Sequence, residues 1–137
     1  MRVTGLDHVV LRVSDPMEVL AWYRDVLGLA PERVEQFEAG EVPFPSVRVD
    51  ERTVIDLLPA GGEPGRDATA AAGRPTNMDH LCLVVEGVDF ESLAADPRFD
   101  VVGGPARLWG AQGHAVGVYV RDPAGNVVEL RSYADRS

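Results

Sequence analysis

The chain has a single cysteine, Cys82, among its 137 residues. A lone cysteine closes no intramolecular disulfide, and its scarcity suits a reducing compartment. Basic residues are few as well: 13 Lys and Arg against 22 Asp and Glu leave a net charge of −9. Nucleic acids and anionic membrane surfaces both require a basic footprint, so neither is an expected partner. No apolar run approaches the roughly 20 residues that span a bilayer. The opening Met1–His8 lacks the apolar stretch and small-residue cleavage site of a secretory leader. There is no Gly-rich phosphate loop, no Ser-His-Asp order and no CxxC pair. The expectation is a soluble, acidic, cytoplasmic protein of one domain, residues 1–137.

What the chain does contain is a repeat. Leu6-Asp7-His8-Val9-Val10-Leu11-Arg12-Val13 is echoed by Met78-Asp79-His80-Leu81-Cys82-Leu83-Val84-Val85, an offset of 72. Val54-Ile55-Asp56-Leu57-Leu58 is echoed by Val127-Val128-Glu129-Leu130-Arg131, an offset of 73. Two matched pairs at nearly one offset mark two copies of one supersecondary unit. We place the first module at 5–60, a connection at 61–76 and the second module at 77–133. The connection has no periodicity and is long for a compact domain; it is read as a mobile segment, with a lid as the alternative.

Each copy opens with a strand of period two. Val9, Leu11 and Val13 point one way, and His8, Val10 and Arg12 the other. In the second copy Leu81, Leu83 and Val85 oppose His80, Cys82 and Val84. A helix follows, capped by Ser14 or Asp15 with Pro16 in its first turn. Val19, Trp22, Tyr23, Val26 and Leu27 form its apolar stripe, and Gly28 stops it. The second helix is shorter, with Asp89 as cap, Phe90, Leu93 and Ala94 within it and Pro97 at its end. Strands are predicted at 46–50, 53–58, 115–121 and 126–132, the last two joined by the turn Asp122-Pro123-Ala124-Gly125-Asn126. Weaker strands are placed at 33–37 and 100–102. The order is βαβββ, twice, with the apolar strand face against the helix and the histidine face turned away from it.

The repeat sets His8 against His80 and Asp56 against Glu129. If the two units pair about a pseudo-twofold axis, two imidazoles and two carboxylates converge in one cleft. That donor set suits a divalent first-row metal: two His and one carboxylate leave positions open, and a second carboxylate hardens the shell. Other residues are candidates to line a substrate. Arg12 shares the His8 face and could grip a carboxylate bidentately. Cys82 shares the His80 face, as a cleft thiol or a small apolar filler. His114, after Gly113, is either a proton shuttle or an exposed loop residue. Tyr119 either lines the site or packs under it. Trp109 and Phe44 lie in irregular segments, as lining residues or loop anchors. Trp22 and Tyr23 are core.

These residues resemble the vicinal oxygen chelate superfamily of glyoxalase I, bleomycin-resistance proteins, fosfomycin-resistance proteins, extradiol dioxygenases and methylmalonyl-CoA epimerase. The matching stretches are Leu6–Val13, Trp22–Leu29 and Val118–Glu129, the last being the most specific; Gly110-Ala111-Gln112-Gly113 is similar to small single-chain glyoxalase-domain proteins. The resemblance implies an α+β fold in which two paired βαβββ modules form a curved eight-stranded cup with helices outside. It implies a divalent metal (iron, nickel, cobalt, manganese or zinc) held at His8, His80 and Glu129, with Asp56 where glyoxalase I has a fourth ligand. It implies a homodimer and a small substrate with vicinal oxygens. The chemistry expected is lyase, isomerase or ring-cleaving oxygenase chemistry through a metal-bound enolate or alkoxide, with Glu129 or Asp56 as base. The alternative is a metal-free, drug-sequestering protein of the bleomycin-resistance type, a group that lacks the His/Glu set. Asp56 departs from glyoxalase I, which has Glu there; one methylene shorter, it is expected to act through water or through another ligand. The His–Tyr spacing of the extradiol signature and the potassium and phosphonate loop of the fosfomycin enzymes are not matched.

Overall fold

A computed structural model describes residue 2 and residues 4–60 and 78–134. The connection 61–76 lies outside the described residues. The chain divides into two compact units, Met1–Pro75 and Thr76–Ser137.

The first unit runs β1 (His8–Val13), α1 (Pro16–Asp25), β2 (Ala30–Glu32), α2 (Val34–Glu38), β3 (Ser46–Arg48) and β4 (Val54–Pro59). Its sheet has the order β1-β4-β3-β2, with β1 parallel to β4 and the other pairs antiparallel. The second runs β5 (Leu81–Val84), α3 (Phe90–Ala95), β6 (Asp100–Leu108), β7 (Ala115–Arg121) and β8 (Val127–Ser132). Its order, β5-β8-β7-β6 with β5 parallel to β8, is the same topology. The fold is α+β, built from two βαβββ modules. Their equivalence extends to register: Val10 lies opposite Asp56, and Cys82 opposite Glu129.

Local chemistry explains the elements. Asp15 is the cap of α1, its side chain accepting from the Glu18 amide at 3.2 Å, and Pro16 follows at N1. The helix buries Val19, Leu20 and Tyr23. Leu20 replaces Trp22 in the stripe read from sequence; Trp22 meets Tyr23 edge-on at 5.0 Å between ring centroids. Beneath α1 lie Leu11, Val13, Val47, Ile55 and Leu57, all buried and all on one face of the sheet. The second unit buries Val118, Val120, Val128 and Leu130 on the matching face.

Two strand assignments are corrected. Residues 33–37 are not a strand: the strand in this region is β2 at Ala30–Glu32, and Val34–Glu38 is helical. Arg33 turns the chain between them at φ 61°, a left-handed conformation uncommon outside glycine. Pro31 fits the outer position of β2, where no further strand needs its missing N–H. In the second unit, 100–102 is only the start of a nine-residue strand. Register shifts at Val101/Gly103 and Gly103/Ala106 interrupt its pairing, so Gly103-Gly104-Pro105 reads locally as a turn although the strand continues.

The turn between β7 and β8 is held by Asp122. Its Oδ1 accepts from the Ala124 and Asn126 amides at 2.9 and 2.8 Å, and its Oδ2 from Asn126 Nδ2 at 2.9 Å. Gly125 takes φ 87°. This turn sets the register that places Glu129, so its loss should be felt as stability. Asp122→Ala is expected to cost about 1–3 kcal/mol, because the Ala124 and Asn126 amides and the Asn126 side chain lose a charged acceptor. Denaturant unfolding measures this, and an unchanged midpoint would show the turn to be held by its backbone alone.

Candidate metal centre

In the first unit His8 opens β1, tied to β4 by the Val54 amide donating to Asp7 O at 3.1 Å and the Thr53 hydroxyl donating to Leu6 O at 2.8 Å. His8 Nδ1 lies 2.7 Å from Asp7 Oδ2. A carboxylate only accepts, so Nδ1 carries the hydrogen and Nε2 remains as the other ring nitrogen. The hydrogen bond to Asp7 is the main cause of a raised His8 pKa; partial burial opposes it, and Asp56 adds to it. Asp56 is buried in β4 on the same face. Its Oδ1 accepts from the Ser46 hydroxyl at 2.5 Å and from Arg33 Nη2 at 2.9 Å. Arg33 also donates to Ser46 Oγ and lies over the Phe44 ring, 5.2 Å from its centroid. Arg12 is on this face too, half-buried, beside Leu58.

The second unit repeats the plan with a closer approach. His80 Nδ1 is 2.6 Å from Asp79 Oδ2. Its Nε2 faces Glu129 Oε2 at 3.2 Å. The other carboxylate oxygen, Oε1, accepts from Arg131 Nε at 2.9 Å, and both side chains of that pair are buried. Tyr119, opposite Glu129 in register, stands edge-on to His80 at 5.2 Å. Burial, with help from Glu129, raises the Tyr119 phenol. Cys82 is exposed, yet partial burial and then Glu129 push its thiol up to about 11, which keeps it a neutral thiol rather than a nucleophile.

The expected candidates therefore separate. His80, Glu129, Tyr119 and Cys82 are brought together in the second unit, and His8 and Asp56 share a face in the first. His114 is not part of the His80 group; it meets Trp109 edge-on, 5.3 Å between centroids, and Trp109 is 75% exposed. Phe44 serves the Arg33 guanidinium. Among the described residues, no group of three or more His, Cys, Asp or Glu is placed to hold a metal ion.

Sequence reasoning missed four kinds of residue. Asp7 and Asp79 were legible, since the acidic residue before each histidine is part of the repeat. Arg131 was legible too, two positions after Glu129 on a strand and so on its face. Ser46 sits opposite Asp56 in register. Arg33 carried no local signal, because it reaches Asp56 only through the left-handed turn.

The donor atoms at His80 and Glu129 suit a divalent ion. Zinc–nitrogen and zinc–oxygen bonds of about 2.0–2.2 Å put adjacent ligand atoms about 3 Å apart. A carboxylate hydrogen-bonded to the far ring nitrogen is the usual way to fix a metal-binding imidazole, and Asp79 and Asp7 both stand there.

The sequence profile described as the Glyoxalase/Bleomycin resistance protein/Dioxygenase superfamily matches residues 5–130. A glyoxalase domain-containing protein of Mycosarcoma maydis is 32% identical over 139 residues, covering 98% of this chain and 72% of that one. A virulence protein of Salmonella typhimurium is 28% identical over 136 residues, covering 97% of this chain and 87% of that one. The crystal structure of that virulence protein aligns with TM-score 0.73 at 26% identity, over 98% of this chain and 100% of that one. A lactoylglutathione lyase of Agrobacterium tumefaciens shares the fold, with TM-score 0.60 at 22% identity over 97% and 96% of the two chains.

Proposed function

Because the chain belongs to the glyoxalase/bleomycin resistance protein/dioxygenase superfamily, we propose that it is a divalent-metal-dependent enzyme acting on a small substrate with two neighbouring oxygens. The observation that carries this reading is the approach of His80 Nε2 to Glu129 Oε2 at 3.2 Å. Asp79 holds the hydrogen of His80 on Nδ1, so a nitrogen lone pair and a carboxylate oxygen face one another. Two electron-rich atoms at that distance need a cation between them, either a proton or a metal ion. His80 and Glu129 are the proposed ligands of the second module, and His8, held by Asp7 in the same way, is the proposed ligand of the first.

Asp56 has a different part. Its Oδ1 is already shared by Ser46 and Arg33. We assign it the role of orienting that face and binding through water. Bound to these residues, a divalent ion of iron, nickel, cobalt, manganese or zinc supplies a Lewis acid that polarises a substrate oxygen. The chain's own part is to hold Glu129 Oε1 on Arg131, to keep Oε2 toward His80, and to wall the second unit's polar face with Tyr119 and Cys82. Lyase, isomerase and ring-cleaving oxygenase chemistry all fit this arrangement. The proposal includes a homodimer in the cytoplasm. No helix among the described residues is long and apolar enough to cross a membrane.

A second reading has one observation in its favour. Both carboxylates already have guanidinium partners, Arg33 for Asp56 and Arg131 for Glu129. Such self-neutralised faces suit a metal-free protein that sequesters a small molecule. Elemental analysis of protein purified without chelator, then thermal melting with each of the five metals, separates the two. Metal at a hundredfold excess over its Kd should add about 2.7 kcal/mol. A hemithioacetal, catechol and thioester panel then assigns the reaction. If none of the five raises the melting temperature, the metal reading fails and the sequestering one stands.

A further inference from the structure

We propose that Arg131 is the positioning residue for Glu129, and that residue 110 is glycine to admit it. The inference rests on the reading of Glu129 as a metal ligand, and concerns what holds that ligand in place.

Arg131 is 2% exposed and lies on the polar face of β8, two residues beyond Glu129. It reaches across β7 at Gly117 toward the end of β6. Its donors all point at different elements. Nε donates to Glu129 Oε1 at 2.9 Å. Nη2 donates to Leu108 O at 3.1 Å and to Trp109 O at 2.9 Å. Nη1 donates to the Tyr133 hydroxyl at 3.0 Å, and that hydroxyl in turn accepts from the Gln112 amide at 3.2 Å. A planar guanidinium held at three corners cannot rotate, so Glu129 Oε1 is fixed and only Oε2 is presented to His80. A lysine, with one point charge on a flexible stem, cannot reproduce that fork.

Two glycines make the space. Gly117 lies beneath the pair: a Cβ there would come within 3.1 Å of Glu129 Oε1 and 3.2 Å of Leu108 Cδ1. Gly110 is the sharper case. Its backbone is not in the left-handed region that six other described glycines occupy. Its amide and carbonyl close a turn with Gly113, at 3.0 and 2.9 Å, that any residue could make. The reason for glycine is steric. A Cβ at 110 would fall 1.0 Å from Arg131 Nη1 and 2.7 Å from the Tyr133 hydroxyl. A single methyl in the loop that carries Trp109 and His114 must therefore push the guanidinium aside, and with it Glu129.

The test compares wild type, Gly110→Ala, Arg131→Lys and Glu129→Ala. The first readout is the Arg131 Nε–H resonance in the metal-free protein, assigned by its loss in Arg131→Lys. It should be protected from solvent exchange in wild type and unprotected in both Gly110→Ala and Glu129→Ala. The second is cobalt(II) titration, read by calorimetry and by the d–d absorption that reports coordination geometry. Gly110→Ala should lower affinity about 10–100-fold and change the absorption, with Arg131→Lys falling between it and wild type. Retention of both the protected resonance and wild-type affinity in Gly110→Ala would overturn the proposal. If Gly110→Ala does not fold, Arg131→Lys decides: a wild-type melting temperature with weakened cobalt binding supports the positioning role, and unchanged binding refutes it. If wild type itself takes up no cobalt, the metal reading fails, while the clamp on Glu129 is judged by the resonance alone.

Discussion

Replacement of Glu129 by alanine should eliminate tight metal binding and also destabilise the second module. Both effects come from one carboxylate. Its Oε2 faces His80 Nε2, and its Oε1 neutralises Arg131, whose side chain is 3% exposed. Removing one partner of a buried ion pair typically costs about 3–5 kcal/mol, because the remaining charge is left uncompensated. Arg131 keeps the Leu108, Trp109 and Tyr133 oxygens, so the lower end of that range is expected. Glu129→Gln separates the two consequences. The amide still offers Nε an oxygen but presents no anionic ligand. The expected pattern is a melting temperature between those of wild type and Glu129→Ala, because the hydrogen bond is kept but the counter-charge is not, with metal affinity lost, measured by thermal melting with and without added metal. Wild-type affinity in Glu129→Gln would remove Glu129 from the ligand set.

Asp56→Ala should behave differently, although the repeat makes it the counterpart of Glu129. Asp56 is one methylene shorter, and its Oδ1 is occupied by Ser46 and Arg33. Removing it strands a fully buried serine hydroxyl and a partly exposed guanidinium. A cost of about 1–3 kcal/mol is expected for the lost acceptor. Metal affinity should fall only about 10–100-fold, the range for a residue that orients ligands without touching the ion. Denaturant unfolding and metal titration of the same variant measure both. An Asp56→Ala as damaging to metal binding as Glu129→Ala would make the site a four-ligand one. The functional reading would then move toward glyoxalase-like isomerase chemistry with nickel, cobalt or zinc.

The contrast between these carboxylates shows how much of the site is written locally. That Asp56 and Glu129 lie on the histidine faces of their modules follows from strict alternation along β4 and β8, and alternation is a property of the strand itself. The Asp15 cap, the short second helix and the Asp122 turn likewise depend on neighbours within a few residues. The assignment failed where a local signal was overruled from a distance. The weak strand placed at 33–37 does not form: Arg33 adopts a left-handed turn and anchors on Asp56, 23 positions away, and Val34 and Phe37, three positions apart, lie in the helix α2 that follows. Gly103-Gly104-Pro105 has the composition of a turn, but pairing with β7 carries β6 through it with shifted register.

The amino-acid sequence by itself determined the two-module plan, the family, and which residue types face away from the helices. Each of these is encoded in periodicity and in a repeat that survives without knowledge of contacts. Only the tertiary structure decided what each carboxylate touches. Asp56 and Glu129 are alike in pattern, and each gives one oxygen to a guanidinium, but Asp56 shares that oxygen with Ser46 as well, whereas the second oxygen of Glu129 faces His80. That difference is made by guanidinium groups arriving from elsewhere in the fold: Arg33 from a strained turn, and Arg131 through a gap that exists because residue 110 has no side chain. Long flexible side chains report their partners nowhere in the sequence around them, so the electrostatics of the site had to wait for the fold that brings them in.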